Sequence, residues 1–220
     1  MNKREEEKLR KQQEKLAKEI ARTEEMSIYE RKYSDFQAIC GIDEVGRGPF
    51  AGPVVAAAVI LPKDNPILYL NDSKKLTEKK REALYDEIME KAVAVGIGLV
   101  SPQRIDEINI LQATYEAMRE AISKLSVKPD LLLNDAVTIP QVDIKQVPIV
   151  KGDAKSVSIA AASIIAKVTR DRLMVEYDEV LPGYDFASNK GYGTKAHIEG
   201  LQKYGPTPIH RMTFIKNHVK

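Results

Sequence analysis

The sequence predicts an α/β fold, a mixed β-sheet flanked by helices, and three observations carry that prediction. Short apolar runs that stop at charges, glycine or proline have the length of buried strands. Capped, periodic segments between them have the length of helices. The two kinds alternate after an opening pair of strands, the pattern of a mixed sheet covered by helices.

The elements follow in order. Residues 38–43 form an apolar run that leads into acids and glycines, and 53–61 form a second run closed by Pro62. Thr77 is placed to cap a helix over 78–91 with Leu84 and Ile88 on its inner face. Residues 93–100 read as a strand. Ser101-Pro102 then supplies an N-cap and a first-turn proline. The helix that follows carries Leu111, Tyr115, Met118 and Ile122 on one face. Residues 130–134 and 147–150 are compact strands, and 156–180 read as a long helix whose Ala160-Ala161-Ala162 allows close packing on the sheet. Residues 1–35 differ from all of this. No glycine or proline occurs from Met1 to Ser34, and Leu9, Leu16 and Ile20 make only a thin apolar stripe. A charged, solvated helix, docked lightly if at all, is the expected structure there.

Composition narrows the class without naming it. With 43% hydrophobic and 30% charged residues the chain belongs with globular proteins, not disordered ones. A net charge of +2 gives no bulk signal for nucleic acid, so any such binding needs a local patch. Cys40 is the single cysteine, which excludes an internal disulfide and a cysteine zinc site; in its apolar run a buried, inert thiol is expected. No stretch reaches the length of a membrane span and the N-terminus lacks an apolar leader core, so a cytoplasmic protein is expected.

Four acids stand just past apolar strand segments. Asp43 and Glu44 follow the first run, Asp135 ends Leu131-Leu132-Leu133-Asn134, and Asp153 follows the run ending at Val150. Adjacent carboxylates at the end of a buried strand are costly unless something neutralises them. A divalent ion does so, because Mg²⁺ takes a few carboxylate oxygens and keeps waters for substrate. For any one acid, a salt bridge or helix cap is an equal explanation; four at one sheet edge favour metal-assisted phosphodiester hydrolysis. The stretch from Gly41 to Gly48 has the two-glycine spacing of a P-loop. However, Arg47-Gly48 stands where lysine and a hydroxyl residue are required, and acids lie where phosphates would sit. Gly46 and Gly48 instead allow a backbone to approach a sugar-phosphate chain, with Arg47 between them to meet a phosphate. No serine stands in a nucleophile-elbow setting.

Gly41-Ile42-Asp43-Glu44-Val45-Gly46-Arg47-Gly48-Pro49, followed by 51–57, resembles the opening signature of ribonuclease HII. The resemblance continues through 71–76, 133–136, 152–156, the helix 159–171, Asn189-Lys190-Gly191-Tyr192-Gly193-Thr194 and 210–214. It implies an RNase H-like sheet with a helical C-terminal part and a catalytic domain over 36–220; the charged helical extension over 1–35 lies outside the resemblance. Asp43, Glu44, Asp135 and Asp153 would be the catalytic metal ligands, for two Mg²⁺ or Mn²⁺ ions. Gly46, Arg47 and Gly48 would contact the ribose 2′-OH and neighbouring phosphates, and Tyr192 the sugar that follows. A 2′-OH is the group by which a protein tells RNA from DNA at one position.

The resemblance further implies cleavage of RNA/DNA hybrids and incision of duplex DNA 5′ to an embedded ribonucleotide, leaving 3′-OH and 5′-phosphate ends. These are the chemistries of ribonucleotide excision and primer removal, and a monomer is expected. Lys155 and Ser156, at the start of the long helix, are placed to meet phosphates. For Ser163 and Lys167, packing or a salt bridge is an equal reading. Asp171 reads as a supporting acid, Lys74 and Lys75 as a basic loop, and His210 with Arg211 as structural or peripheral. Asn134 departs from the apolar residue usual at that strand position. The nearest rivals are ribonuclease HIII, which carries a sizeable N-terminal substrate-binding domain, and a hybrid-binding module without activity.

Overall fold

The structure, a computed structural model, describes residues 3–219; Met1, Asn2 and Lys220, the ends of the two expected segments, lie outside them. Strands β1 (Ile39–Val45), β2 (Val54–Ile60), β3 (Ala94–Val100), β4 (Leu131–Asp135) and β5 (Lys145–Ile149) form one sheet in the order β3-β2-β1-β4-β5. The first three pair antiparallel, while β4 and β5 continue parallel from β1. The expected mixed sheet is therefore present, and all five strands overlap the apolar runs that predicted them. The parallel strands end at one edge. Ile42 pairs with Asn134, so the next residues, Asp43 and Asp135, emerge side by side.

Helices α3 (Glu78–Lys91), α4 (Pro102–Ser123) and α5 (Val157–Val180) cover the sheet. Thr77, Ser101 and Ser156 cap them by accepting from the amides of Lys80, Arg104 and Ile159. Side chains of β1 alternate between two layers. Cys40 and Ile42 pack with Ala113, Ala117 and Met118 of α4. On the other face Gly41 meets α5 so closely that a Cβ there would stand 2.1 Å from the Ser158 carbonyl carbon. A side chain at Gly41 would push α5 off the strand and carry the turn before that helix away from β1 and β4.

Two elements differ from expectation. Leu111 is exposed, and the inner face of α4 is made by Ala113, Ala117, Met118 and Ala121. The cause is a break at Asn109 (φ 68°, ψ 163°), whose Oδ1 caps the amides of Leu111 and Gln112 and resets the helical phase. β5 pairs on one side only and is half exposed, so an apolar run misjudged an edge strand.

The N-terminal segment forms α1 (Lys3–Met26) and α2 (Ile28–Lys32). Leu9, Leu16 and Ile20 remain exposed, but the end of α1 docks: Thr23 and Met26 are buried, and Arg22 donates to the Leu70 carbonyl at 2.7 Å. Glu30 of α2 accepts from the Ser156 hydroxyl at 2.5 Å and the Ser158 amide at 3.0 Å, adding an anion to the N-terminus of α5. These polar anchors are joined by Met26 in the core and by Tyr29 and Tyr33 packed near Ile39 and Leu131, all outside the Leu9-Leu16-Ile20 stripe, which is why an argument from that stripe does not see them. The C-terminal helices α6 (Phe186–Asn189), α7 (Lys195–Tyr204) and α8 (Met212–Ile215) close a third cluster around Ala51, Met174 and Phe186. Among the described residues no helix is long and apolar enough to cross a membrane.

Candidate active site

The four acids meet at the sheet edge where β1 and β4 end. Asp43 is buried at the close of β1, and its Oδ1 accepts from the Glu44 amide at 2.8 Å. Asp135 closes β4, and its Oδ1 accepts from the Gly152 amide at 2.8 Å, which ties the following turn to the strand. Asp153 lies buried in that turn, a single 3₁₀ turn entered through Lys151 in the left-handed region (φ 58°).

Their electrostatics follow from the convergence. Burial pushes the Asp43 carboxyl well above the usual range, and the nearby charges of Glu44, Asp135 and Asp153 push it further. Glu44 is also raised by burial, against the opposing pull of Arg47, whose Nη1 stands 3.4 Å from its Oε1. Asp153 is raised by burial and then by Asp72 and Asp135. Asp72, in hydrogen-bonding reach of Asp153, is a fifth acid at the edge that the strand-end pattern did not reveal, because it arrives on the turn before α3.

This donor set fits a divalent cation. It offers hard carboxylate oxygens, holds them partly desolvated, and crowds like charges that a bound cation would relieve. Among the described residues no group of three or more such side chains is drawn close enough to hold a metal ion as it stands, so the arrangement is open. An open arrangement suits Mg²⁺, which keeps several waters and shares its remaining positions with substrate phosphates.

A consequence for stability follows. A carboxylate whose folded pKa is raised favours the fold below its ordinary value, near 4, and loses that contribution as pH rises through the raised value. Metal-free protein is thus penalised at neutral pH by Asp43, Glu44 and Asp153. Added Mg²⁺ should raise the melting temperature more at about pH 8 than at about pH 5, because the ion binds the ionised carboxylates. Equal shifts at both pH values in scanning calorimetry would contradict a carboxylate-bound ion.

Beside the acids stands the Gly46-Arg47-Gly48 turn. Gly46 has φ +86°, and a Cβ there would meet the Arg170 Nε at 2.2 Å. Two buried arginines hold this turn from below. Arg211 donates to the carbonyls of Gly46 (2.5 Å), Arg47 (2.9 Å) and Gly52 (2.8 and 3.0 Å). Arg170 donates to those of Pro53, Ala51 and Lys190 at 2.8–2.9 Å. Burial lowers both guanidinium pKa values, Arg211 to about 9 and Arg170 to about 10, leaving both charged at neutral pH. Of the two readings of Arg211 the structural one holds, and its place is directly beneath the turn. Arg47, Gly48 and Tyr192 are exposed, and a Cβ on Gly48 would stand 3.7 Å from the Tyr192 ring. The structure therefore brings these three residues into one surface next to the acids.

The remaining expectations divide. Lys155 is exposed two residues past Asp153. Ser156 does not face a substrate: it is fully buried, caps α5 through the Ile159 amide and donates to Glu30. Its hydroxyl was read as a phosphate ligand because a serine at a helix start serves either purpose, and the docked Glu30 decides between them. Ser163 is buried and donates to the Ala160 carbonyl, and Lys167 pairs with Asp171 at 2.8 Å, so both take the structural reading. Arg81 stands 3.9 Å from Asp171 and donates to the Ser73 and Leu76 carbonyls, bracing the turn that carries Asp72. Asn134 is buried and donates to Gln146 at 2.8 Å, tying β4 to β5 next to Asp135.

Comparison with known proteins shows the family and the fold. The family pattern described as ribonuclease HII matches residues 40–217. A ribonuclease HII of Lachnoclostridium phytofermentans is 73% identical over 204 residues, covering 93% of this chain and 80% of that protein. The crystal structure of a ribonuclease H2 from Pyrococcus horikoshii superposes with a TM-score of 0.68 at 28% identity, covering 83% of this chain and 97% of the other. A Bst-RNase HIII mutant structure (TM-score 0.60, 17% identity, 82% and 68% covered) shares the fold alone. With the family pattern matching residues 40–217 and a relative 73% identical over 204 residues, the chain belongs to the ribonuclease HII family.

Proposed function

We propose that this chain is an endoribonuclease that cleaves the RNA strand of RNA/DNA hybrids and incises duplex DNA on the 5′ side of an embedded ribonucleotide. One observation carries the reading: four acids converge at one sheet edge beside a Gly-Arg-Gly turn and an exposed tyrosine. Asp43, Glu44, Asp135 and Asp153 would hold two divalent ions, Mg²⁺ or Mn²⁺. When bound, these supply an activated water and stabilise the leaving 3′-oxygen.

The residues of the chain do the selecting and positioning. With the carbonyls of Gly46 and Arg47 turned inward to Arg211, the backbone of this turn is held rigid where the ribose 2′-OH would lie. Arg47 and Lys155 meet phosphates from the exposed side, and Tyr192 lies against the sugar that follows the ribonucleotide. Hydrolysis on that side leaves 3′-OH and 5′-phosphate ends, as ribonucleotide excision and primer removal require. A monomer with its catalytic machinery in 36–220, working in the cytoplasm on hybrid-bearing DNA, completes the proposal.

The deciding experiment is strand cleavage of a duplex with a single ribonucleotide, with Mg²⁺, with Mn²⁺ and with chelator. Metal-dependent incision at the 5′ side of the ribonucleotide is expected. No incision there alongside cleavage of longer hybrids would point to the preference of ribonuclease HIII, and no turnover on either would leave a binding module.

A further inference from the structure

We propose that His197 and His210 are positioning residues that set the preference for an RNA-to-DNA junction, by holding the main chain at Tyr192 through a one-way chain of hydrogen bonds. The inference rests on the reading of Tyr192 given above and adds to it what keeps that tyrosine in place.

Both imidazoles are buried, and their Nε2 atoms stand 2.9 Å apart. Two ring nitrogens at that distance require one proton between them. The ends of the chain decide which ring carries it. The Thr207 amide, a donor only, lies 2.9 Å from His210 Nδ1, so that nitrogen offers its lone pair and the His210 proton sits on Nε2. The Tyr192 carbonyl, an acceptor only, lies 2.9 Å from His197 Nδ1, so that nitrogen bears the proton and His197 Nε2 offers its lone pair. One arrangement satisfies every partner: Thr207 donates to His210, His210 to His197, and His197 to Tyr192. The Thr207 hydroxyl, 2.8 Å from His210 Nδ1, donates to the same lone pair.

A second proton on either ring would break the chain, and the surroundings oppose it. Phe50 and Phe186 pack on His197, and Tyr184 and Phe186 on His210. Burial in this aromatic cage pushes His197 down and His210 to about 4.

The chain ends on the residue that matters. The Tyr192 carbonyl accepts from His197 and from the Thr194 amide at 2.8 Å, while its own amide donates to the Asn189 carbonyl at 3.0 Å. The backbone on both sides of Tyr192 is therefore fixed, and only its ring projects, next to Gly48. His210 also bridges to Ala51 in the segment after that glycine. The pair thus locks the tyrosine turn to the Gly-Arg-Gly side of the site, the rigidity that positioning a sugar within about 1 Å demands.

Two measurements test this. Nitrogen-15 spectra of the whole protein at neutral pH should show His197 protonated on Nδ1 and His210 on Nε2; the opposite tautomers, or a doubly protonated ring, overturn the proposal. Cleavage assays should compare incision at a single ribonucleotide with cleavage of a long RNA tract. In His210→Leu that ratio should fall about tenfold, the scale of one lost positioning hydrogen bond. His210→Gln, whose amide reaches the Nε2 position, should restore it to within about twofold, whereas His210→Asn, too short to reach His197, should not. If His210→Leu does not fold, the contrast between Gln and Asn decides, and equal ratios in those two overturn the proposal. Tyr192→Ala separates the two levels. An unchanged ratio there overturns the reading of Tyr192 and this proposal with it. A changed ratio there, with parental ratios in the folded histidine variants, overturns this proposal alone.

Discussion

Asp43→Asn should lower strand cleavage about a thousandfold or more while its metal-free form melts higher than the parent. The activity loss follows from charge: a metal ligand that contributes about 4 kcal/mol of transition-state stabilisation is worth about a thousandfold in rate. The stability gain follows from the same charge in the absence of metal. Asp43 is buried among Glu44, Asp135 and Asp153, and its raised pKa means that ionising it at neutral pH opposes folding. Asparagine is of equal size, carries no charge, and keeps an oxygen for the Glu44 amide that Asp43 Oδ1 binds at 2.8 Å. Each kcal/mol of relief should raise the melting temperature by about 2–4 °C in a chain of this size. Single-turnover cleavage and calorimetry check the two halves, and hybrid binding should persist. A parental rate would sink the two-ion scheme; an inactive variant that melts lower would show that Asp43 supports the fold instead.

Arg211→Met should be the costliest substitution for the Gly46-Arg47-Gly48 turn. It removes four hydrogen bonds and strands the buried carbonyls of Gly46 and Gly52 away from water. Each orphaned group costs about 1–3 kcal/mol, partly offset because a buried charge is removed with them. A net loss of about 3 kcal/mol corresponds to a fall of about 6–12 °C in melting temperature. Arg211→Lys separates charge from shape. Lysine keeps the charge but lacks the planar fork that reaches several carbonyls at once. It should fold yet cleave at a single ribonucleotide about a hundredfold more slowly, the scale expected when a recognising backbone shifts by about 1 Å. A lysine variant that cuts at the parental rate would show that the arginine fork does not set the turn.

The sheet and the edge bearing the acids were legible because each depends on local sequence. Strands announce themselves by apolar runs, and acids placed just after parallel strands have one edge to share. Caps at Thr77 and Ser101 were legible for the same reason, since the donor lies three residues away. The inner face of α4 was not, because a periodic pattern assumes one unbroken helix and Asn109 breaks it. Ser156 shows the limit most sharply: its cap is local, but the partner that removes it from the substrate surface, Glu30, is 126 residues away.

By itself, then, the sequence determined the α/β layering, the four carboxylates at strand ends, and the glycine turn and tyrosine that resemble a ribonuclease HII. Only the tertiary structure decided what stands behind them. Arg211 reaches Gly46 across 165 residues, Arg170 reaches Ala51 across 119, and His210 meets His197 only because α7 folds back on the loop that follows it. The sequence reads His210 and Arg211 as structural or peripheral without saying what they hold, since their partners are carbonyls and rings that distant parts of the chain supply. The residues that would do the chemistry are thus set by short-range pattern, and the residues that hold them still are set by long-range packing.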